Sequence, residues 1–513
     1  MTQTKPLEMN LSDLLDLGFR EVPNLISGAW RTDGEALEVR QKFTGEPVAR
    51  TYAATPADAD EAIHAATAQL QAGILPGHVR HGILYRAAAW LREHRQTIGR
   101  IIAQESGKEL AQSISEAERT AHTLELSAEY GRALVGEMVP MDASPGFENA
   151  TAMTMRVPIG LVCAITPFNS PLNLVAHKVG PALAAGNAVI VKPSELTPTP
   201  AAILAKALLQ AGLPVDLLHV LNGRGDTVGQ YLLEHAAFDM YSFTGSAKVG
   251  LHIKRTVGLR KVALELGNNS ATIVASDANI AQAADACARQ AFSNSGQVCI
   301  SVQRIYVHED IADTFIDQLV TVTKSLKSGN PEDDSVNVGP VINEAAAQRA
   351  LELIDSATSA GAQLATGGEL NGNCISPTVL IEPNRDHPVV SEEAFAPIVS
   401  VMRYTNLDEL IHDINDGMYG LQTGIFTSSI ETAFKAVHGL RMGGVIVNGT
   451  SRYRADVMPY GGIKASGSGR EGPKYAVEEM TETKLVIFNL QESPFDTGLK
   501  TASTTHQSSK KGS

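Results

Sequence analysis

At 513 residues the chain is longer than one hydrophobic core can serve, since single cores stop growing near roughly 250–300 residues, so two or three domains are expected. Its 43% hydrophobic and 19% charged residues exclude a disordered or fibrous protein, and a formal net charge of -14 argues against nucleic acid or an anionic membrane as partner. Small-molecule chemistry is the class that remains. Four widely spaced cysteines do not make a disulfide framework and imply a reducing, cytoplasmic setting. The opening MTQTKPLEMNLSDLLDL carries acids in place of a basic start, so no signal peptide is expected, and no apolar run approaches the ~18 residues that cross a bilayer.

The first stretch reads as a lead-in. From 56 to about 130 the apolar positions of ADADEAIHAATAQL and HGILYRAAAWLREH recur at three and four residues, which predicts helices. Alternation in TAMTMRV then predicts a hairpin between 136 and 156. Next come short apolar strands separated by helices: GLVCAIT, with Pro171 able to start the following helix, then NAVIVKP, DLLHVLN, FDMYSFT and KVALEL. Such strands imply a parallel sheet covered on both faces. A second alternation begins near Asn279 with NIAQAADACARQAF, whose inner face carries Ile280, Ala284, Cys287 and Ala291. It continues through RIYVHE, PTVLIE, IVSVMRY, GIFT and GGVIVN with helices between, which predicts a second α/β domain. The polar residues 491–513 have few apolar anchors and are expected to be disordered.

Sheets of this kind bind ligands beyond the carboxyl ends of their strands. Asn169 follows one strand, Lys192 closes another, Glu265 closes a third, and Cys299 lies in the polar loop FSNSGQVCIS that enters the second domain. Cys163 on an apolar strand and Cys287 on an inner helix face read as core, and Cys374 as a loop thiol.

The motifs TPFNSPL, GNAVIVKPSE, FTGS with Gly250 beyond it, LELGN, GQVC, EEAFAP and PYGGIKASGSGRE stand in one order. Together they resemble the aldehyde dehydrogenase superfamily over residues 54–490, in particular its lactaldehyde, phosphonoacetaldehyde and sulfolactaldehyde dehydrogenase branch. The fold implied is α/β: two Rossmann-like open parallel-sheet domains plus a small β element for oligomerisation. Residues 1–140 and 158–266 would form the NAD-binding domain, 267–447 the catalytic domain, 141–157 and 480–490 the oligomerisation strands of a homodimer or homotetramer, and 448–479 the substrate-tunnel loop.

The resemblance implies roles that the chemistry supports. Cys299 would be the nucleophile, because a thiolate adds to an aldehyde carbon and yields an adduct that readily expels hydride. Asn169 would hold the developing oxyanion with a neutral amide, beside the Cys299 N–H. Glu265 would activate the water that hydrolyses the thioester, its value raised by burial. Lys192, counted with the catalytic set, and Glu195 would hold the adenosine ribose. A carboxylate at Glu195 repels a 2′-phosphate, so NAD is favoured, with NADP the alternative. Gly245 and Ser246 would face the pyrophosphate, Glu393 and Phe395 the nicotinamide ribose, and Thr166, Pro167, Phe168, Ser194, Gly225, Thr244 and Leu266 would complete the cradle. No metal is implied. The family's usual glycines are replaced by Asn268 and Ala396.

The substrate-tunnel positions become Arg119, Asn173, Leu174, His177, Val298, Ile300, Ser301, Arg452, Arg454 and Tyr460. Aromatic tunnels suit long or arylic aldehydes; these cationic and polar groups suit a small aldehyde with an anionic or hydroxylated end. Two readings remain beside this one: broad specificity for neutral aldehydes, with the arginines paired to Asp456 or glutamates, and a non-catalytic scaffold on the same fold.

Overall fold

The computed structural model describes residues 11–489; the tail 491–513 lies outside them. Leu134 and the described residues before it form, with Pro158–Thr481, one compact unit, and Val135–Val157 with the described residues from Glu482 another.

Within the larger unit the predicted short strands assemble into two sheets. The first has eight strands, and its parallel centre runs Lys261–Glu265, Met240–Thr244, Leu161–Ile165, Ala188–Lys192, Leu218–Val220. Because the chain steps from Leu161–Ile165 to Ala188–Lys192 on one side and returns to Met240–Thr244 on the other, the strand order reverses between Leu161–Ile165 and Met240–Thr244. Loops leaving the carboxyl ends of these two neighbours diverge, which opens a crevice there. Strand residues Val162, Ala164, Val189 and Ile190 are fully buried, as a sheet covered on both faces requires.

The second sheet has seven strands; in its interior Ala271–Val274 runs between Arg304–His308, the middle strand, and Gln422–Phe426, all three parallel. Helix Ile280–Phe292 packs on it through Ala283, Ala284, Cys287, Ala288 and Ala291, with Ile280 half-buried at the helix start. The expected α/β class with two parallel sheets is therefore the architecture that forms.

Four details differ from the sequence reading. The lead-in is structured: Asn24–Ile26 and Ala29–Arg31 add antiparallel strands to the eight-stranded sheet, and Arg20–Val22, Ala36–Arg40 and Pro47–Tyr52 make a separate three-stranded one. Arg20–Val22, Asn24–Ile26 and Ala29–Arg31, at three residues each, are too short to show a period. Ala271–Val274, an interior strand of its sheet, is only four residues long and follows the polar Asn268, Asn269 and Ser270, which hid it. The helix after Asn169 begins at Asn173, two residues beyond Pro171. Cys374 is a buried strand residue, not a loop thiol. All four cysteines are free.

In the smaller unit Met138–Val139 pairs antiparallel with Ala150–Pro158, the predicted hairpin, in a three-stranded sheet with Thr481–Asn489. Met138, Met155, Leu485, Ile487 and Phe488 are exposed on its strands. Among the described residues no helix is long and apolar enough to cross a membrane.

The structured N-terminus is tied down by a buried charge. Arg20 has no solvent access; its Nη2 lies 3.4 Å from Glu105 Oε1 and its Nη1 donates to Gln104 Oε1 at 3.1 Å. Replacing Arg20 by methionine strands the Glu105 carboxylate inside the protein, and the expected loss is about 3–5 kcal/mol. Urea unfolding measures it; a midpoint equal to that of the parent would show that the ion pair does not anchor the segment.

Candidate active site

The loop that presents Cys299 is bent by three consecutive left-handed residues, Asn294 (φ 52°), Ser295 (φ 55°) and Gly296 (φ 69°). Asparagine tolerates that region better than most residues, and Gly296 is required twice over, because a Cβ there would sit 2.1 Å from the Ala396 carbonyl oxygen. Hydrogen bonds hold the bend from several sides. The Asn294 N–H donates to Glu109 Oε1 (3.1 Å), Ser295 Oγ to the Gly339 carbonyl (2.7 Å), and the Ile342 N–H to Gln297 Oε1 (2.9 Å). Cys299 emerges half-buried beside Ile300, Leu421 and Tyr460.

A cavity of about 850 Å³ opens at this point, beyond the carboxyl ends of the strands of the eight-stranded sheet. Cys299, Asn169 and Glu265 all line it, contributed by three distant stretches of sequence. Asn169 Nδ2 donates to the Gln297 carbonyl at 2.8 Å, which fixes the amide two residues from the thiol; its Oδ1 is buried without a partner. One of the two Nδ2 hydrogens thus remains for another acceptor.

The charges around the thiol are set by burial. Desolvation pushes Cys299 up to about 11, while a hydrogen bond from Tyr460 and the charge of Arg454 pull it back. Tyr460 Oη lies 2.7 Å from Cys299 Sγ, and the Arg454 guanidinium carbon lies 3.7 Å from the centre of the Tyr460 ring. Glu265 ends its strand fully enclosed, with Oε2 unpartnered. Burial first, then the nearby Glu471 charge, hold it well above the usual carboxylate range, against Lys178, Arg454 and Arg470. Glu471 goes the other way: burial would raise it, but His177, Arg454 and Lys178 outweigh that. Its Oε1 is 2.5 Å from Arg454 Nη2.

On the cofactor side, Pro167, Phe168, Thr244, Gly245, Ser246, Leu266, Glu393 and Phe395 line the same cavity. The hydroxyls of Thr166 and Thr244, at the ends of the two strands flanking the reversal, are buried and unpartnered. Ser246 caps helix Ala247–Thr256, accepting from the Val249 N–H. Orphaned donors beside a helix N-terminus fit a dinucleotide phosphate. Lys192 and Glu195 sit together one strand over, Nζ to Oε2 3.3 Å, with Ser194 between them and Gly225 exposed at the start of a wide turn. Glu393 accepts the Asn268 N–H at 2.9 Å and is held up at about 7 by burial. Any residue at 268 supplies that N–H, and the Asn268 side chain turns away to Ser270. Gly267 is the constrained neighbour, since a Cβ there would meet the Glu393 carboxylate at 2.3 Å.

The predicted substrate positions divide. Arg119, Asn173, Leu174, Val298, Ile300, Arg452, Arg454 and Tyr460 line the cavity. His177 and Ser301 stand outside its lining: His177 Nε2 meets Asp456 at 3.0 Å with no solvent access, and Ser301 Oγ donates to the Ala291 carbonyl at 3.0 Å. Asp456 also takes a two-pronged bond from Arg119 (2.6 and 2.9 Å) and one from Asn173 (3.2 Å). Its carboxyl is held well below the usual range, burial being outweighed by the His177 and Arg119 bonds. Arg452 differs. Its Nε is shut off from solvent with no acceptor, and Nη2 reaches only Gln112 Oε1 at 3.5 Å. Sequence reasoning missed Lys178, Glu109 and the part played by Glu471; the RE that closes SGSGRE was the signal for Glu471, and neither of the others carried one.

The chain matches the aldehyde dehydrogenase family over residues 30–486. It is 46% identical over 465 residues to a 3-sulfolactaldehyde dehydrogenase of Priestia aryabhattai, covering 91% of this chain and 97% of that one. Its structure resembles aldehyde dehydrogenase 21 of Physcomitrella patens in complex with the reaction product succinate (TM-score 0.88, 34% identity, 92% and 98% covered). It resembles equally the NADP-dependent glyceraldehyde-3-phosphate dehydrogenase of Bacillus halodurans complexed with NADP (TM-score 0.89, 34% identity, 92% and 99% covered). With a matching family profile, an α/β fold shared with solved members and a half-buried thiol at the sheet crevice, the chain belongs to the aldehyde dehydrogenase family and is an NAD(P)-dependent aldehyde dehydrogenase.

Proposed function

We propose that this enzyme oxidises a short aldehyde carrying an anionic group to the carboxylic acid, with Cys299 as nucleophile, Asn169 as oxyanion donor, Glu265 as base and Arg452 as the anion receptor. The observation that carries the substrate reading is that Arg452 lines the cavity with Cys299 and, unlike Arg119 and Arg454, forms no ion pair with a carboxylate among the described residues. Arg119 and Arg454 are already paired with Asp456 and Glu471, and Arg349 donates to the Ala394 carbonyl, so these shape the wall and leave Arg452 to meet an incoming anion. The names of the three similar enzymes fit this: a sulfonate in one, succinate in the second, a phosphate in the third.

In this reading the Cys299 thiolate adds to the aldehyde carbon, and the oxygen becomes an alkoxide received by Asn169 Nδ2 and the Cys299 N–H. A nicotinamide dinucleotide, when bound, supplies the acceptor for the hydride leaving that carbon, which turns the adduct into a thioester. Thr166, Thr244 and Ser246 would hold its phosphates, Lys192 and Glu195 one ribose, Glu393 and Phe395 the other. Glu265 then takes a proton from water as the water oxygen bonds to the acyl carbon. The C–S bond breaks, its electron pair returns to Sγ, and the acid departs. Burial of Glu265 serves this step, because a carboxyl with a raised value is a stronger base than an exposed one.

Three outcomes test the reading. Arg452→Met lowers kcat/KM for 3-sulfolactaldehyde or succinic semialdehyde by about 10- to 100-fold, the size of a charge-assisted hydrogen bond, and leaves propanal within about threefold; equal losses on charged and neutral aldehydes would remove Arg452 as the receptor. The rate of acyl-enzyme hydrolysis rises with pH through the elevated Glu265 value, since the neutral carboxyl accepts no proton, and Glu265→Gln slows it about 100-fold or more. A flat profile from about pH 5 to 8 would exclude Glu265 as the base. Finally, kcat/KM for NAD exceeds that for NADP by roughly tenfold, and Glu195→Ser narrows the gap; a parent enzyme that prefers NADP contradicts the role given to Glu195.

A further inference from the structure

We infer that the Tyr460 hydroxyl is a catalytic group: a hydrogen-bond donor to the sulfur of Cys299 that stabilises the thiolate both before it attacks the aldehyde and as it leaves the thioester. The inference rests on Cys299 being the nucleophile and goes beyond that reading by giving the sulfur a dedicated partner.

The geometry is specific. Tyr460 Oη lies 2.7 Å from Cys299 Sγ, deep in a pocket where the tyrosine is 3% exposed. A backbone pair pins the residue, the Tyr460 N–H donating to the Glu471 carbonyl (2.9 Å) and the Glu471 N–H to the Tyr460 carbonyl (2.6 Å). The Glu471 side chain in turn holds Arg454, whose guanidinium carbon stands 3.7 Å from the centre of the Tyr460 ring. One residue therefore fixes both the ring and the cation against its face. A cation over the ring draws electron density from the phenol and makes its O–H a better donor.

The direction of the bond follows from the surroundings. Burial and the neighbouring thiol keep the phenol protonated far beyond the ordinary tyrosine range, so it has a proton to give whenever the sulfur is ionised. The thiol faces the opposite problem, because an enclosed sulfur resists ionisation. Among the groups near it, Tyr460 touches Sγ directly, while Arg454 acts on it across the ring. Glu265 and Glu393, which also face the sulfur, oppose its charge. During addition the S–C bond forms and the sulfur loses its negative charge, so the phenol is released from its strongest bond. During hydrolysis the C–S bond breaks, the electron pair returns to Sγ, and the same O–H receives it; no proton needs to move between the two atoms.

The test is Tyr460→Phe, which keeps the ring over which Arg454 sits. The second-order rate of Cys299 alkylation by iodoacetamide is measured against pH, with Cys299→Ser as the blank, alongside kcat, KM and the NADH burst with an aldehyde substrate. The expected result is an alkylation rate about tenfold lower near neutral pH, with its rise displaced upward by about one pH unit, and a kcat about tenfold lower with KM little changed. An unmoved alkylation profile with full kcat overturns the inference; so does a raised KM or a lowered melting temperature with an unmoved profile, which marks Tyr460 as packing. Should the phenylalanine variant fail to fold, difluorotyrosine at 460 replaces it: a stronger phenol donor must move the alkylation rise downward, and an unmoved rise again overturns the inference. If Cys299→Ser oxidises aldehydes undiminished, the underlying assignment of the nucleophile falls, an outcome distinct from the failure of Tyr460 alone.

Discussion

Desolvation presses on every ionisable group that meets at Cys299, and only the groups with opposite charges around them withstand it. A thiol, two carboxyls, a phenol, a lysine and an arginine are enclosed within a few side chains of one another, and an isolated charge in such surroundings is costly unless paired. The arrangement resolves this by division. Glu471 keeps its charge because Arg454, Lys178 and His177 surround it, and Glu265, buried beside that charge, is held well above the usual carboxylate range. Arg454 is thereby retained in the low-polarity interior and turned toward the Tyr460 ring. Burial thus sets the direction for the thiol, the phenol and Glu265, and one ion pair adjusts each of them.

The fold makes that ion pair available from opposite directions. Glu265 ends a central strand, Lys178 rides on helix Asn173–Ala185, and Glu471 and Arg454 come from the late segment that returns to the eight-stranded sheet through Gly467–Ser468. The two members of that pair are close in sequence, and the cavity they serve spans residues from Lys108 to Glu471. The bent loop at Asn294–Gly296 then brings the sulfur to the same place, braced by Glu109 from a helix far earlier in the chain.

Much of this was legible in the sequence for reasons that can be named. Apolar strands such as Leu161–Ile165 and Ala188–Lys192 carry a local signal, because a parallel strand covered on both faces must be apolar along its length. Cys299, Asn169 and Glu265 stood at strand ends and in a polar loop, which is a positional signal. What stayed hidden depends on partners far apart in the chain. Asp456 claims Arg119, Asn173 and His177 together, across some 280 to 340 residues, and no period or spacing encodes such a pairing. Cys374 looked like a loop thiol because its strand is two residues long. Lys178 is buried on an apolar helix, where a lysine stem reads as an amphipathic face.

Three of the cavity's four arginines, Arg119, Arg452 and Arg454, show why residue type alone does not define specificity. Arg119 and Arg454 each face a carboxylate within 2.6 Å, and an anion arriving at either would have to compete with it. For Arg452 the facing carboxyl is Glu109, which burial holds at about 7 and which accepts the Asn294 N–H from the loop that carries Cys299. A carboxyl that burial holds up in this way cancels a neighbouring cation less than an ordinary carboxylate would. The same Glu109 links that charge to the bend that carries Cys299. On the proposed assignment, an anion at Arg452 and the sulfur presented by the loop would share one support, which would hold the two ends of a short substrate in register.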